Sequence, residues 1–235
     1  MFGLHHAKDK LIVALDGDSL DHAAQLVDLL KNDVSNFKVG IQLFTSCGPD
    51  AIKMVQAHGG KVFLDLKYHD IPSTVAKAVY VATKLGVAMI NVHATGGRKM
   101  MAEALAAAQD AADGEPPLII GVTVLTSMES LGDIGIQYEI REQVIRLAQL
   151  AQEVGLHGVL ASPLEIQPIR QACGKKFIIV TPGIRPAGTH LDDQARIASP
   201  KQAIHAGADY LVVGRPITEA KDPLTITRNI LKEMG

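Results

Sequence analysis

The chain has no tryptophan, only two cysteines, and an aromatic fraction of 4% across 235 residues. The cysteines, Cys47 and Cys173, form neither a CxxC pair nor a cluster. That excludes a disulfide framework and a zinc ribbon, and fits a reducing compartment. Charge of one sign is also missing: 23 Lys and Arg stand against 25 Asp and Glu, a formal net charge of -2. Nucleic-acid binders carry a basic excess, so that class is set aside. Long apolar runs are lacking too. Leu118–Leu125, among the longest, falls far short of the roughly 20 residues that span a bilayer as a helix. The opening MFGLHHAKDK has no apolar stretch of signal-peptide length. No HExxH, nucleophile elbow or P-loop occurs. The expectation is a soluble, cytoplasmic protein with no membrane or nucleic-acid partner.

What is present is a hydrophobic fraction of 47%, enough to bury a full core without disulfides or a structural metal. Short β-like runs alternate with helical patterns along the whole chain. The strand candidates are Leu11–Leu15, Phe37–Gly40, Val62–Leu66, Met89–Val92, Leu118–Val124, Gly158–Ala161, Phe177–Val180 and Tyr210–Val213. Most are unbroken Val/Ile/Leu runs, the mark of strands buried on both faces of a parallel sheet. Between them, Ser19–Lys31 opens with an N-cap serine and puts Ala23, Leu26, Val27 and Leu30 on one face. Arg141–Glu153 repeats the pattern with Val144, Leu147, Ala148 and Ala151. Gly86, Gly155 and Gly207 stand where a helix stops before the next strand.

The spacing is about 29 residues per strand, the length of one βα unit. About eight such units, with no composition shift and no linker, predict a single (β/α)₈ TIM barrel over residues 1–235. An open doubly wound sheet is the alternative, but no GxGxxG follows the first strand. One connection is unusually long: TPGIRPAGTHLDDQARIAS, roughly 19 residues after the seventh strand, has the length of a lid or binding loop. It falls on the C-terminal face, where barrel enzymes keep their active sites.

The densest polar cluster is Asp65-Leu66-Lys67-Tyr68-His69-Asp70, ending the third strand. Strand period places Asp65 and Lys67 on one face, with Lys38 of the second strand beside them. A structural salt-bridge plug is the plainer reading of such a cluster. Three or more charges on the catalytic face favour a working array instead. Alternating Lys and Asp keep one another ionised against desolvation, and a lysine held charged is a ready proton donor.

After the eighth strand comes Val213-Gly214-Arg215-Pro216-Ile217. Gly214 permits close backbone approach, and Arg215 offers a forked cation at a helix start, where oxyanions bind well. It is either a phosphate grip or a simple strand-to-helix turn. Pro182, Gly183, Arg185 and Gln194 of the long loop are placed to close over the same anion. Asp16, ending the first strand, fits either a sugar-hydroxyl acceptor or a cap for the next helix. Thr126 and Ser127 either read an amide-like edge or cap the following segment. Ile71 and Leu125 are apolar candidates beside the array, or ordinary core. His93, before Gly96-Gly97, reads more readily as a core or turn residue than a catalytic one. The other histidines show no metal-ligand spacing.

The segment DLKYHDIPST (Asp65–Thr74) resembles the DxKxxDIPxT signature of the orotidine 5′-monophosphate decarboxylase family. So do VALD ending at Asp16, FKVG around Lys38, VHATGG, VTVLTS, TPGIRP and VVGRPIT, and the resemblance extends over the whole chain. It implies a cofactor-free, metal-free decarboxylase converting orotidine 5′-phosphate (OMP) to UMP and CO2, the last step of de novo UMP synthesis. It also implies a homodimer with shared sites. Lys38, Asp65 and Lys67 belong to one subunit, while Asp70, with Thr74 one turn on, enters the partner's site toward the ribose. Lys67 is implied to protonate C6. Asp16 and Lys38 match ribose-hydroxyl ligands, Arg215 and Gly214 the phosphate grip, and Gln194 and Arg185 the lid bridging phosphate and base. Thr126 or Ser127 matches the contact to the pyrimidine edge. The alternatives are a sugar-phosphate relative of the same superfamily, Mg-dependent or aldol-type, and a non-catalytic nucleotide-binding barrel.

Overall fold

The computed structural model describes residues 7–186 and 197–235. Eight strands, β1 (Leu11–Leu15), β2 (Asn36–Gly40), β3 (Lys61–Tyr68), β4 (Met89–His93), β5 (Leu118–Val122), β6 (Gly158–Leu160), β7 (Ile178–Thr181) and β8 (Tyr210–Val213), close into a barrel in sequence order. Every neighbouring pair is parallel, including the closing pair β1 and β8. This is the expected (β/α)₈ barrel, and the doubly wound alternative falls.

The unbroken apolar runs have the expected cause: both faces of each strand are covered. On β1, Leu11, Val13 and Leu15 face outward into the layer beneath the helices, while Ile12 and Ala14 join an inner cluster with Phe63, Met89, Leu118, Ile120, Leu160, Val180, Tyr210 and Val212. Each fully buried large side chain contributes about 1.5–3 kcal/mol.

The helices follow their periodicity. Leu20–Leu30 buries Ala23, Leu26, Val27 and Leu30, and the Ser19 hydroxyl accepts the His22 N–H at 3.3 Å. Ser19 is therefore the cap, and the capping alternative for Asp16 falls. Ile140–Val154 buries Val144, Leu147, Ala148 and Ala151 and stops at Gly155, whose φ of 93° suits a residue without a Cβ.

Strand ends differ from the sequence reading where the chain turns toward the mouth. β5 stops at Val122 instead of Val124, because a turn closed by Met128 N–H to the Leu125 carbonyl at 3.0 Å follows at once. β3 continues past Leu66 to Tyr68, but irregularly. Between Leu64 and Tyr68 it advances four residues while β4 advances only from Ile90 to Val92. The stems of the long loop are tied together: Arg185 N–H donates to the Ala198 carbonyl at 3.0 Å, and Ile184 bridges Ala198 in parallel fashion. Gln194 lies outside the described residues. No helix among the described residues is long and apolar enough to cross a membrane.

Candidate active site

The inward positions of β2, β3 and β4 change character towards the C-terminal mouth. Phe63 and Met89 are apolar, but the next inward positions are Lys38, Asp65 and Asn91. Lys38 Nζ contacts Asp16 Oδ1 at 3.0 Å and Asp65 Oδ2 at 3.3 Å. Lys67 Nζ contacts Asp65 Oδ1 at 2.7 Å. The four charges thus form one continuous chain, Asp16–Lys38–Asp65–Lys67, shared by three strands.

Burial grades along it. The Asp65 side chain is 7% exposed and Lys38 11%, but Lys67 is 27% and Asp16 48%. A buried carboxylate is costly unless paired, and Asp65 is paired on both oxygens. Burial pushes its pKa up, but Lys38, Lys67 and the donated hydrogen bonds outweigh that and hold it below the usual carboxylate range. Burial likewise pulls Lys38 down, and Asp65 with Asp16 more than reverse it, leaving its pKa raised.

Lys67 reaches this array through an unusual backbone. Among the described residues it is the only non-glycine with positive φ, at 50°. The irregularity in β3 adds an even number of residues, so the alternation survives: Leu66 and Tyr68 pack on the outer layer and Lys67 still points inward. Period therefore indicates the right face. The left-handed kink was not legible from it.

A cavity at the mouth is lined by Asp16, Lys38, Asp65 and Lys67, by Leu125 and Thr126, by Pro182, Gly183 and Arg185, and by Gly214 and Arg215. Charged residues distant in sequence thus face one space, Arg185 and Arg215 together with the Lys/Asp array. A family model described as "Orotidine 5'-phosphate decarboxylase / HUMPS family" matches residues 9–230. The chain belongs to the orotidine 5′-phosphate decarboxylase / HUMPS family. It is 52% identical to the orotidine 5′-phosphate decarboxylase of Syntrophotalea carbinolica, over 99% of this chain and 97% of that one. It is also 52% identical to that of Moorella thermoacetica, over 97% and 93% of the two chains. The crystal structure of orotidine 5′-phosphate decarboxylase from Lactobacillus acidophilus superposes with a TM-score of 0.86 at 37% identity, over 97% of this chain and 99% of that one.

Within this decarboxylase-family barrel, the residues expected in a partner's site stand apart from those that line the cavity. Asp70 and Thr74 are exposed and outside it, and the Asp70 carboxylate accepts the Ile71 N–H at 2.6 Å. Ile71 is 64% exposed and does not line the cavity, so only Leu125 of the apolar pair does. Thr126 and Ser127, the middle of the turn after β5, part company: Thr126 lines the cavity and Ser127 is exposed. No helix starts there, which removes helix capping as their role. The helix after Gly214, Arg215–Thr218, is a single turn, so it adds little of the N-terminal dipole that a longer helix would supply.

His93 also lies outside the cavity lining, stacked on His69 with ring centroids 5.1 Å apart. Burial first, then the neighbouring His69 and Lys67, lower its pKa to about 4. Among the described residues no group of three or more His, Cys, Asp or Glu side chains is arranged to hold a metal.

Two residues of the site escape a sequence reading. Asn91 is fully buried; its amide donates to Asp65 Oδ1 at 2.6 Å and its carbonyl oxygen accepts the Lys67 N–H at 2.8 Å. The available signal was an amide inside the otherwise apolar run Met89–Val92. Gly40, ending β2, is the other. A Cβ there would sit 2.7 Å from Lys38 Nζ, so a side chain would displace the ammonium from between its two carboxylates.

Proposed function

We propose that this chain decarboxylates OMP to UMP and CO2, closing de novo UMP synthesis. The observation that carries it is the chain of ion contacts from Asp16 through Lys38 and Asp65 to Lys67, facing the same cavity as Arg215. Relatives at half identity over nearly the full chain bear this enzyme's name, and no feature of the site favours a sugar-phosphate reaction or a silent binding barrel.

Loss of CO2 from C6 of the pyrimidine leaves an electron pair on carbon, in an orbital that the ring π-system does not delocalise. Stabilisation then has to come from a fixed charge beside that carbon. In this reading the Lys67 ammonium supplies the charge. The C6–carboxylate bond breaks, the pair stays on C6, and Lys67 gives its proton to that carbon and is reprotonated from water. This requires no cofactor and no metal. Asp65 supports the reading best as a positioning group, since both its oxygens are already engaged by lysines. Lys38 and Asp16 offer a donor and an acceptor to ribose hydroxyls.

Arg215 and Gly214 take the phosphate, far from the bond that breaks. Arg185, with Pro182 beside it and Gln194 further along the loop, bridges phosphate and base. Closure over the phosphate then turns remote binding energy into assembly of the charged site. Thr126, at the cavity wall, reads the pyrimidine edge in preference to the exposed Ser127.

The protein acts as a homodimer. Asp70 and Thr74 are exposed and do not line their own cavity, Ile71 beside them is exposed, and the helix Pro72–Lys84 that carries Thr74 also exposes Tyr80 and Val81. A second copy covering that face brings Asp70 and Thr74 to the partner's ribose. A cytoplasmic location agrees with two free cysteines, Cys47 and Cys173.

Incubating the protein with OMP and following loss of its absorbance tests the activity, and unchanged absorbance ends the proposal. Full activity after metal chelation separates it from the Mg-dependent alternative. Mixing a Lys67 variant with an Asp70 variant restores part of the activity through heterodimers with one intact site. No recovery rules out shared sites.

A further inference from the structure

Asn91 occupies the inward position directly above Met89 on β4, with no exposed surface. A carboxamide there is expensive unless its polar atoms are matched, because an unpaired polar group in an apolar setting loses its hydration with nothing in return. Both ends are matched, and the chemistry of the partners leaves one orientation. The Asp65 carboxylate only accepts, so the amide nitrogen faces it. The Lys67 N–H only donates, so the amide oxygen faces that.

The two partners are two residues apart on β3, on either side of the break in its ladder. Lys67 stands at φ 50°, a conformation strained for a residue with a side chain, which persists only when its surroundings impose it. Asn91 imposes it from the neighbouring strand. One end of the amide takes the Lys67 N–H, which the break removes from the regular pairing. The other fixes the carboxylate oxygen that holds Lys67 Nζ. Lys67 is thus tethered at its backbone and its tip through a single amide.

We propose that Asn91 is a positioning residue for the decarboxylation, setting where the Lys67 ammonium stands by clamping its kinked backbone and its carboxylate partner together. The inference rests on the decarboxylase reading above. Alanine leaves the Lys67 N–H without its acceptor and frees Asp65 to rotate. Aspartate keeps the shape and the acceptor but sets a carboxylate against Asp65. The charged groups around position 91 are Asp65 and Lys67 on β3, Lys38 beyond them on β2, and His93 on β4 itself; its register partner on β5 is the apolar Ile120.

The test compares unaltered protein, Asn91→Ala and Asn91→Asp in steady-state OMP turnover, with binding of UMP measured calorimetrically. Displacing a reacting group by about 1 Å costs near 10²-fold, so Asn91→Ala is expected to lower kcat by roughly that factor while KM and UMP affinity stay within about threefold. Asn91→Asp is expected to recover kcat relative to unaltered protein as pH falls from about 8 to about 5, because a protonated carboxyl can again donate to Asp65. A kcat within about threefold of the unaltered protein in Asn91→Ala overturns the inference. If Asn91→Ala does not fold, Asn91→Asp decides, and a pH profile parallel to that of the unaltered protein overturns it. OMP left unconsumed by unaltered protein overturns the decarboxylase reading instead. Turnover that is normal in all three proteins overturns only the role of Asn91.

Discussion

The two ends of the barrel interior are built from the same pleat and filled with opposite chemistry. Towards the N-terminal ends of the strands, Ile12, Phe63, Met89, Leu118 and Tyr210 fill the inside with apolar bulk. Burial there is severe enough to push the Tyr210 hydroxyl up to about 12, the nearby Asp209 and Asp9 adding to it. Towards the C-terminal mouth the inward positions become Lys38, Asp65, Lys67 and Asn91, all of them held by partners across strands. One end is filled mainly by apolar side chains. The other gathers charged and polar ones, and it carries the one left-handed side-chain-bearing residue among those described. Strain and desolvated charge sit where chemistry is proposed, supported from below by packing that does no chemistry.

This contrast predicts that damage at the two ends reads out differently. The largest effect belongs to Lys67→Ala. It removes the proposed proton donor and should lower kcat for OMP by about 10⁴-fold or more, with UMP still bound and the denaturation midpoint little changed. Near-normal turnover in that variant breaks the functional half of the comparison. Next is Arg215→Ala, at a residue that also lines the cavity. Losing a charge-assisted grip worth about 1.5–3 kcal/mol should raise KM for OMP by one to two orders of magnitude. A substrate lacking the phosphate should be hardly affected, and equal harm to both defeats the phosphate assignment.

At the apolar end, Gly158→Ala would place a Cβ 2.2 Å from the Ile178 carbonyl oxygen, a backbone atom that cannot swing aside. Chemical denaturation should show a loss of about 1–3 kcal/mol or more, while the protein that remains folded keeps its kcat. A large fall in kcat without loss of stability reverses the comparison. The smallest effect is the pH response of His93. Its folded pKa is about 4 against an ordinary 6.5, so between those values the unfolded chain binds more protons. Stability should therefore fall as pH drops from 6.5 toward 4, and His93→Gln should flatten that part of the curve. The Asp65 contribution is separate. Its depressed pKa keeps it stabilising above the ordinary carboxylate range, and that stability is lost only at lower pH.

The legible part of the site was its inventory. Asp16, Lys38, Asp65, Lys67 and Arg215 were visible as charged residues at or near strand ends and Arg185 as one in the long loop, and all of them line one cavity. Thr126 and Ser127 were indistinguishable in sequence because both follow the same strand; the direction of the turn after β5 separates them. Ile71 looked like a neighbour of the array because it is close in sequence, but the chain has already left the barrel there. Asn91 was passed over because a lone amide in an apolar strand carries no spacing signal. Its importance comes from Asp65 and Lys67, 26 and 24 residues away in the chain.

The layered α/β architecture follows from local information, and its eight-unit count favours a closed barrel over an open sheet. Apolar runs of strand length, recurring with amphipathic helices between them, have nowhere to bury both faces except a sheet wrapped in helices. Period two then assigns each side chain to the inside or the outside, and the bulge in β3 leaves that assignment intact. What local periodicity does not carry is the contact across strands. The ion chain through Asp65, the amide clamp of Asn91 and the room that Gly40 leaves for Lys38 all depend on strand register and on one kinked residue. Register is settled only when the whole barrel closes, because the stagger of each strand is fixed by its neighbours around the ring.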